Sequence, residues 1–163
     1  MITRVLVPLA DGFEELEAVT LVDTLRRAEL EVTMASVGAL EVCGSRGVRV
    51  LADALWADLD PAAFDAIVLP GGLEGTLTLA EHTGVLAALE AQAGRGGEVA
   101  ALCAAPLVLD AAGLLEGRAM TCHPSVRERL KGAQARDERV VGDGALVEVL
   151  DTEPGAAAHG DGR

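Results

Sequence analysis

The chain has 163 residues, half of them apolar, with a mean hydropathy of +0.33. That length suits one domain around one core, and the hydropathy argues against disorder. Thirteen basic against 26 acidic side chains leave a net charge of -13, which excludes nucleic acid as a held partner and gives no attraction to an anionic membrane.

Aromatic residues are limited to Phe13, Trp56 and Phe64, so the core must be built from Val, Leu and Ala. The apolar opening is too brief for a secretory leader and meets Asp11 and Glu14 at once. No apolar stretch approaches the ~18–20 residues of a membrane span. The cysteines, Cys43, Cys103 and Cys122, are odd in number and form no C-x-x-C pair. That usage favours a reducing, cytoplasmic setting over a disulfide scaffold.

Residues 4–9 form an apolar run without alternation, as in a strand buried on both faces. Residues 14–28 place Leu16, Val19, Leu21, Val22 and Leu25 at helical spacing. A second strand is expected over 30–37. A hairpin follows over 42–51, turned at Gly44 or Gly47. Residues 66–69 read as a buried strand ending in Pro70-Gly71-Gly72. A helix is predicted over 84–93, then a strand over 98–102 that runs directly into Cys103. Residues 104–112 read as a helix, with Pro106 tolerated in its first turn. A short strand over 118–122, a short helix over 124–130 and a hairpin around Gly142-Asp143-Gly144 complete the pattern. Residues 1–150 are expected to form a single domain, and 151–163 a loose polar tail.

Strands alternating with helices imply right-handed βαβ units and a mainly parallel sheet. The predicted fold is a three-layer, flavodoxin-like α/β sandwich. Ligand sites in such folds lie beyond the carboxyl ends of the strands.

Three segments end strands on that side: 11–17, 70–72 and 102–106. A side chain between a buried strand and a helix sits on a sharp turn and projects from the sheet top, as at a nucleophile elbow. The helix behind Cys103 turns its free N–H groups and positive dipole end toward the sulfur, favouring thiolate and a pKa below the usual ~8.5. Position alone leaves the residue open to a blander role, since most free cysteines are small buried apolar groups. Gly71 and Gly72 bring bare N–H groups close to a ligand, and the Gly72 N–H together with the Ala104 N–H can form an oxyanion hole. An ordinary turn is the competing reading. Glu17 belongs to an acidic helix start, where such residues usually only complement the dipole. Pressed against a thiolate, its carboxyl would stay protonated and shuttle a proton. His123 is a capping residue or, beside a thiol, a base or orienter. His82 and His159 look peripheral, and no metal-ligand spacing is present.

The segments LVPLADGFEELEAV, GSRGV, DAIVLPGG, ALCAAP and MTCHP occur in this order. Together they resemble the ThiJ/PfpI superfamily, in the branch of the Parkinson-linked stress protein and its bacterial relatives, over about residues 1–147. The resemblance implies the class I glutamine amidotransferase-like version of the fold. It implies Cys103 as oxidisable nucleophile, Glu17 as the protonated acid bound to it, Gly72 and Ala104 as backbone donors, and His123 in the thiol pocket without a firm triad. It places Arg46 near the pocket and the dimer interface, with Gly71 beside the site. It further implies a homodimer, no cofactor, and a small reactive carbonyl as substrate, with methylglyoxal-to-lactate or deglycase chemistry. Its alternatives are redox sensing or a chaperone-like role through Cys103 oxidation, or an amidotransferase- or peptidase-like hydrolase. The peptidase-like branch carries a His directly after the nucleophile. Here that position is Ala104, which argues against proteolysis. The chain also departs after Val147, where the family continues with a Gly-Pro turn and a long helix. A missing helix or a slipped reading frame is expected there, leaving one sheet face partly uncovered.

Overall fold

The computed structural model describes residues 3–130 and 132–149. The expected tail over 151–163 and residue 150 of the last strand lie outside them. The chain opens with β1 (Arg4–Leu9), α1 (Glu15–Arg27) and β2 (Glu31–Ser36). An antiparallel hairpin of β3 (Glu41–Cys43) and β4 (Arg49–Leu51) follows, then β5 (Ala54–Leu55) and β6 (Ala66–Leu69). Next come α2 (Leu73–Glu81), α3 (Thr83–Gly94), β7 (Glu98–Leu102) and α4 (Pro106–Ala111). The last elements are β8 (Ala119–Met120), β9 (Gln134–Ala135), β10 (Val140–Asp143) and β11 (Leu146–Val149).

The main sheet has seven strands in the order β10-β11-β7-β6-β1-β2-β5, all pairs parallel except β10–β11. Strand side chains alternate between two faces, and each face has its own core. Val5, Val7 and Leu9 pack with Phe13, Ala18 and Val22 of the α1 side. Leu6, Ile67 and Leu69 pack with Leu79, Leu89 and Leu109 of the α2–α4 side. This is the three-layer, flavodoxin-like α/β arrangement. The two faces are covered unequally. Over β7 and β11, Val99, Ala101, Leu146 and Glu148 are buried, whereas Ala100, Leu102, Val147 and Val149 on the opposite face are only half-buried.

Some elements differ from expectation. Helix α2 was not foreseen, because Gly72, Gly75 and three threonines or turn-formers nearby lower its local propensity. Gly75 earns its place by proximity: a Cβ there would lie 2.9 Å from the Phe13 amide nitrogen. The helix expected from Ala104 begins at Pro106, because Cys103–Ala105 form the turn. The strand expected over 118–122 shrinks to Ala119–Met120 and pairs with β9 outside the main sheet. The helix expected over 124–130 is a 3₁₀ segment, Pro124–Arg129.

Because β7, β6 and β1 lie side by side and parallel, their carboxyl ends share one rim. The segments after them are those that hold Cys103, Gly71-Gly72 and the start of α1.

Candidate active site

Cys103 follows β7 with φ +57, a left-handed backbone conformation rare for a residue with a side chain. Such a conformation costs about 1–2 kcal/mol and persists only where the surroundings hold it. Two bonds do so: the Cys103 N–H donates to the Val149 carbonyl at 3.0 Å, and the Cys103 carbonyl accepts from the His123 N–H at 2.8 Å. The residue is only 8% exposed, yet it lines a cleft of about 370 Å³. Gly72, Ala104, His123, Ser125 and Arg46 line the same cleft.

Glu17 reaches this point from the first turn of α1. The Glu14 carboxylate caps that turn, accepting the Glu17 N–H at 2.6 Å. The Glu17 carboxyl accepts the Gly71 N–H at 2.6 Å through Oε2. A Cβ at position 71 would lie 2.5 Å from that oxygen, 2.6 Å from Cys103 Cβ and 3.2 Å from its sulfur. Gly71 is therefore the bare gap across which acid and thiol approach each other. Gly72 has φ +94, and a Cβ there would collide with the backbone of Gly12 and Phe13. Among the described residues, neither the Gly72 nor the Ala104 N–H donates to a backbone carbonyl.

His123 is half-buried at the cleft, but its ring is engaged by a neighbour. Nδ1 lies 2.8 Å from Ser125 Oγ and accepts the Ser125 N–H at 3.2 Å. A backbone N–H can only donate, so in the neutral ring the proton sits on Nε2. Ser125 is a site residue the sequence reading missed. The signal was His-Pro-Ser at a helix start, where a residue two positions on can bond back to the capping side chain.

Arg46 is exposed at the tip of the β3–β4 turn. Glu15, itself buried, fixes that turn: its carboxylate accepts the Arg46 N–H at 2.6 Å, the Ser45 hydroxyl at 3.0 Å and the Val48 N–H at 3.4 Å. Burial works against the Glu15 anion, and these donors outweigh it, so its pKa falls below the usual carboxylate range. The cleft lining thus includes one cation, Arg46, and two carboxylates, Glu14 and Glu74.

Behind the turn, burial pushes the Cys122 thiol pKa up, Arg127 opposes this, and Glu148 adds to the rise. The Glu148 carboxyl is pushed up to about 7 by burial and by Asp143. Among the described residues, no group of three His, Cys, Asp or Glu side chains is arranged to hold a metal. No helix among them is long and apolar enough to cross a membrane.

The sequence matches the model of the DJ-1/PfpI family over residues 3–151. It is 41% identical to protein dj-1beta of Drosophila melanogaster, over 87% of this chain and 78% of that protein. It is 35% identical to the deglycase TK1284 of Thermococcus kodakarensis, over 88% of this chain and 87% of that one. The chain spans only 33% and 37% of the Arabidopsis thaliana DJ-1 homologues B and A, to each of which it is 40% identical. The crystal structure of Drosophila DJ-1beta superposes with a TM-score of 0.89 at 38% identity, covering 93% of this chain and 83% of that one. A structure of Toxoplasma gondii DJ-1, oxidized, gives a TM-score of 0.87 at 36% identity, with 91% and 82% covered. On this agreement of sequence, fold and length of match, the chain belongs to the DJ-1/PfpI family.

Proposed function

We propose that the protein is a cysteine-dependent, cofactor-independent enzyme that acts on small reactive aldehydes and converts methylglyoxal to lactate. The observation that carries this reading is the gap at Gly71, with the Glu17 carboxyl on one side and the Cys103 sulfur on the other. Cys103 attacks the aldehyde carbon, forming a C–S bond while the carbonyl π pair moves to oxygen. The N–H groups of Gly72 and Ala104 hold that oxyanion. Glu17 delivers a proton to it and then moves the hydrogen from the aldehyde carbon to the neighbouring keto carbon, while the hydroxyl proton passes from the first oxygen to the second with His123 assisting. One carbon is oxidised and its neighbour reduced, so no external redox partner is needed. Water then cleaves the resulting thioester, releasing lactate and the thiol. The rim supports a small uncharged substrate, because Glu14 and Glu74 oppose an anion there. The relative named a deglycase supports carbonyl chemistry in the family.

The test is lactate formation from methylglyoxal by wild type and Cys103→Ser. The variant is expected to lose roughly 10³-fold or more in rate while its circular dichroism and melting temperature stay close to wild type. Undiminished turnover in a folded variant rejects the assignment.

A second reading is redox sensing. Peroxide transfers one oxygen at a time to Cys103, giving sulfenate and then sulfinate, with water leaving at each step. It is favoured by the placement of Cys103 on a cleft while Cys122 is 2% exposed, and by the oxidized relative from Toxoplasma. A hydrolase reading, amidotransferase- or peptidase-like, has less support, since Ser125 occupies His123 Nδ1 and Ala104 follows the thiol.

The protein is also proposed to work as a homodimer in a reducing compartment. Leu16 is 72% and Leu51 70% exposed, and Val19 and Val48 are exposed as well. Glu15 ties this end of α1 to the β3–β4 turn, which brings the Leu16 end of α1 beside Val48. An apolar surface of this kind marks an interface. Sedimentation should show a dimer for wild type and a monomer for Leu16→Asp; a dimer in both contradicts the placement.

A further inference from the structure

Behind the Cys103 turn lies a second thiol–carboxyl neighbourhood that the proposed chemistry leaves unused. Glu148 on β11 is fully buried, and among the described residues neither carboxyl oxygen has a hydrogen-bond partner. Alternation along β11 sends its side chain to the same side as Leu146, into the core that also holds Met120, Cys122 and Val126. The ionisable groups facing it are Asp143 on β10, Arg118 just ahead of β8 and Cys122 just after it, with the Arg127 guanidinium acting on the Cys122 thiol. A buried carboxyl without donors is tolerated as a neutral acid. As an anion it must draw in water or move its strand.

The strand in question is one jaw of the Cys103 clamp. Val149, next to Glu148, accepts the Cys103 N–H, and His123, next to Cys122, donates to the Cys103 carbonyl. These two bonds hold the residue at φ +57. We propose that Glu148 is a positioning residue for Cys103: as a neutral acid it seats β11 so that Val149 grips the Cys103 amide, and its ionisation loosens that grip and withdraws the thiol from its reacting geometry. The inference rests on Cys103 being the reacting thiol, but the amide readout below does not depend on turnover. Burial and the Asp143 charge place the transition within the neutral range, with Arg118 opposing them.

The experiment follows the ¹⁵N–¹H resonance of Cys103 and the rate of its alkylation by iodoacetamide from pH 5.5 to 8.5. In wild type the amide resonance should move with a midpoint near neutrality. Glu148→Gln should remove that midpoint, keep the acid-form resonance position, and alkylate several-fold faster than wild type above it. Glu148→Met, which cannot ionise either, should behave alike and guards against a folding defect peculiar to Gln. A midpoint that survives both substitutions belongs to another group, and overturns the proposal. So does a wild-type amide that does not move. Loss of the amide transition in the variants of a protein that never consumes methylglyoxal would sustain this inference while rejecting the proposed function.

Discussion

Two thiols in this molecule sit near carboxyl groups, and the neighbourhoods differ in what surrounds the acid. At Cys103 the Glu17 carboxyl receives a backbone N–H from Gly71, and the sulfur borders a cleft. At Cys122 the Glu148 carboxyl receives no hydrogen bond among the described residues, and the sulfur lies in the core. A carboxyl with a donor and nearby solvent can exchange protons during a reaction. One without either is held as a neutral acid by burial and gives up its proton only at the expense of the fold. Proximity of acid and thiol is thus common to both places, and access with hydrogen bonding separates them. The Cys103 peptide, gripped by Val149 and His123, is where the two regions meet.

The largest effect that sharpens this contrast, after removal of the Cys103 thiol itself, comes from Glu17→Gln. Gln can still accept the Gly71 N–H, so the fold should survive, while turnover falls by roughly 10²–10⁴-fold through loss of the proton carrier. Steady-state kinetics check it, and a loss below tenfold would remove Glu17 from the chemistry.

The Glu148 side of the comparison appears in stability. Its carboxyl pKa is raised in the fold, so the stability it contributes is complete below about pH 4.5 and is lost as pH rises through about 7. A shift of that size corresponds to about 3 kcal/mol. Urea unfolding at pH 5 and pH 8 should show wild type losing most of this difference and Glu148→Gln showing little of that loss.

A smaller effect is expected at Glu15, whose pKa is lowered. Its contribution is present above the ordinary carboxylate value and lost as pH falls through the lower one. Glu15→Ala removes the anchor of Arg46, Ser45 and Val48 and should cost about 2 kcal/mol, read by urea unfolding at pH 7.

Much of the frame is legible in the sequence because the cue is local. The apolar runs within Arg4–Leu9, Ala66–Leu69 and Glu98–Leu102 read as buried strands, and their parallel pairing sets Glu17, Gly71 and Cys103 on one rim. What was illegible depends on contacts made at distance. Helix α2 has weak propensity and exists because Gly75 lets it close on Phe13. Ser125 matters only once its hydroxyl meets the His123 ring. The positive φ of Cys103 is imposed by β11 and by His123, far along the chain. Glu148 looks like one of many acidic residues until β11 pairs with β7 and turns it inward.

The most direct test of the account is competitive alkylation of the three thiols at pH 6, with and without methylglyoxal, resolved by peptide mass spectrometry. The account predicts that Cys103 is modified ahead of the more exposed Cys43 and the core residue Cys122, and that methylglyoxal protects it selectively. Modification of Cys43 ahead of Cys103, with no protection by the aldehyde, would contradict it.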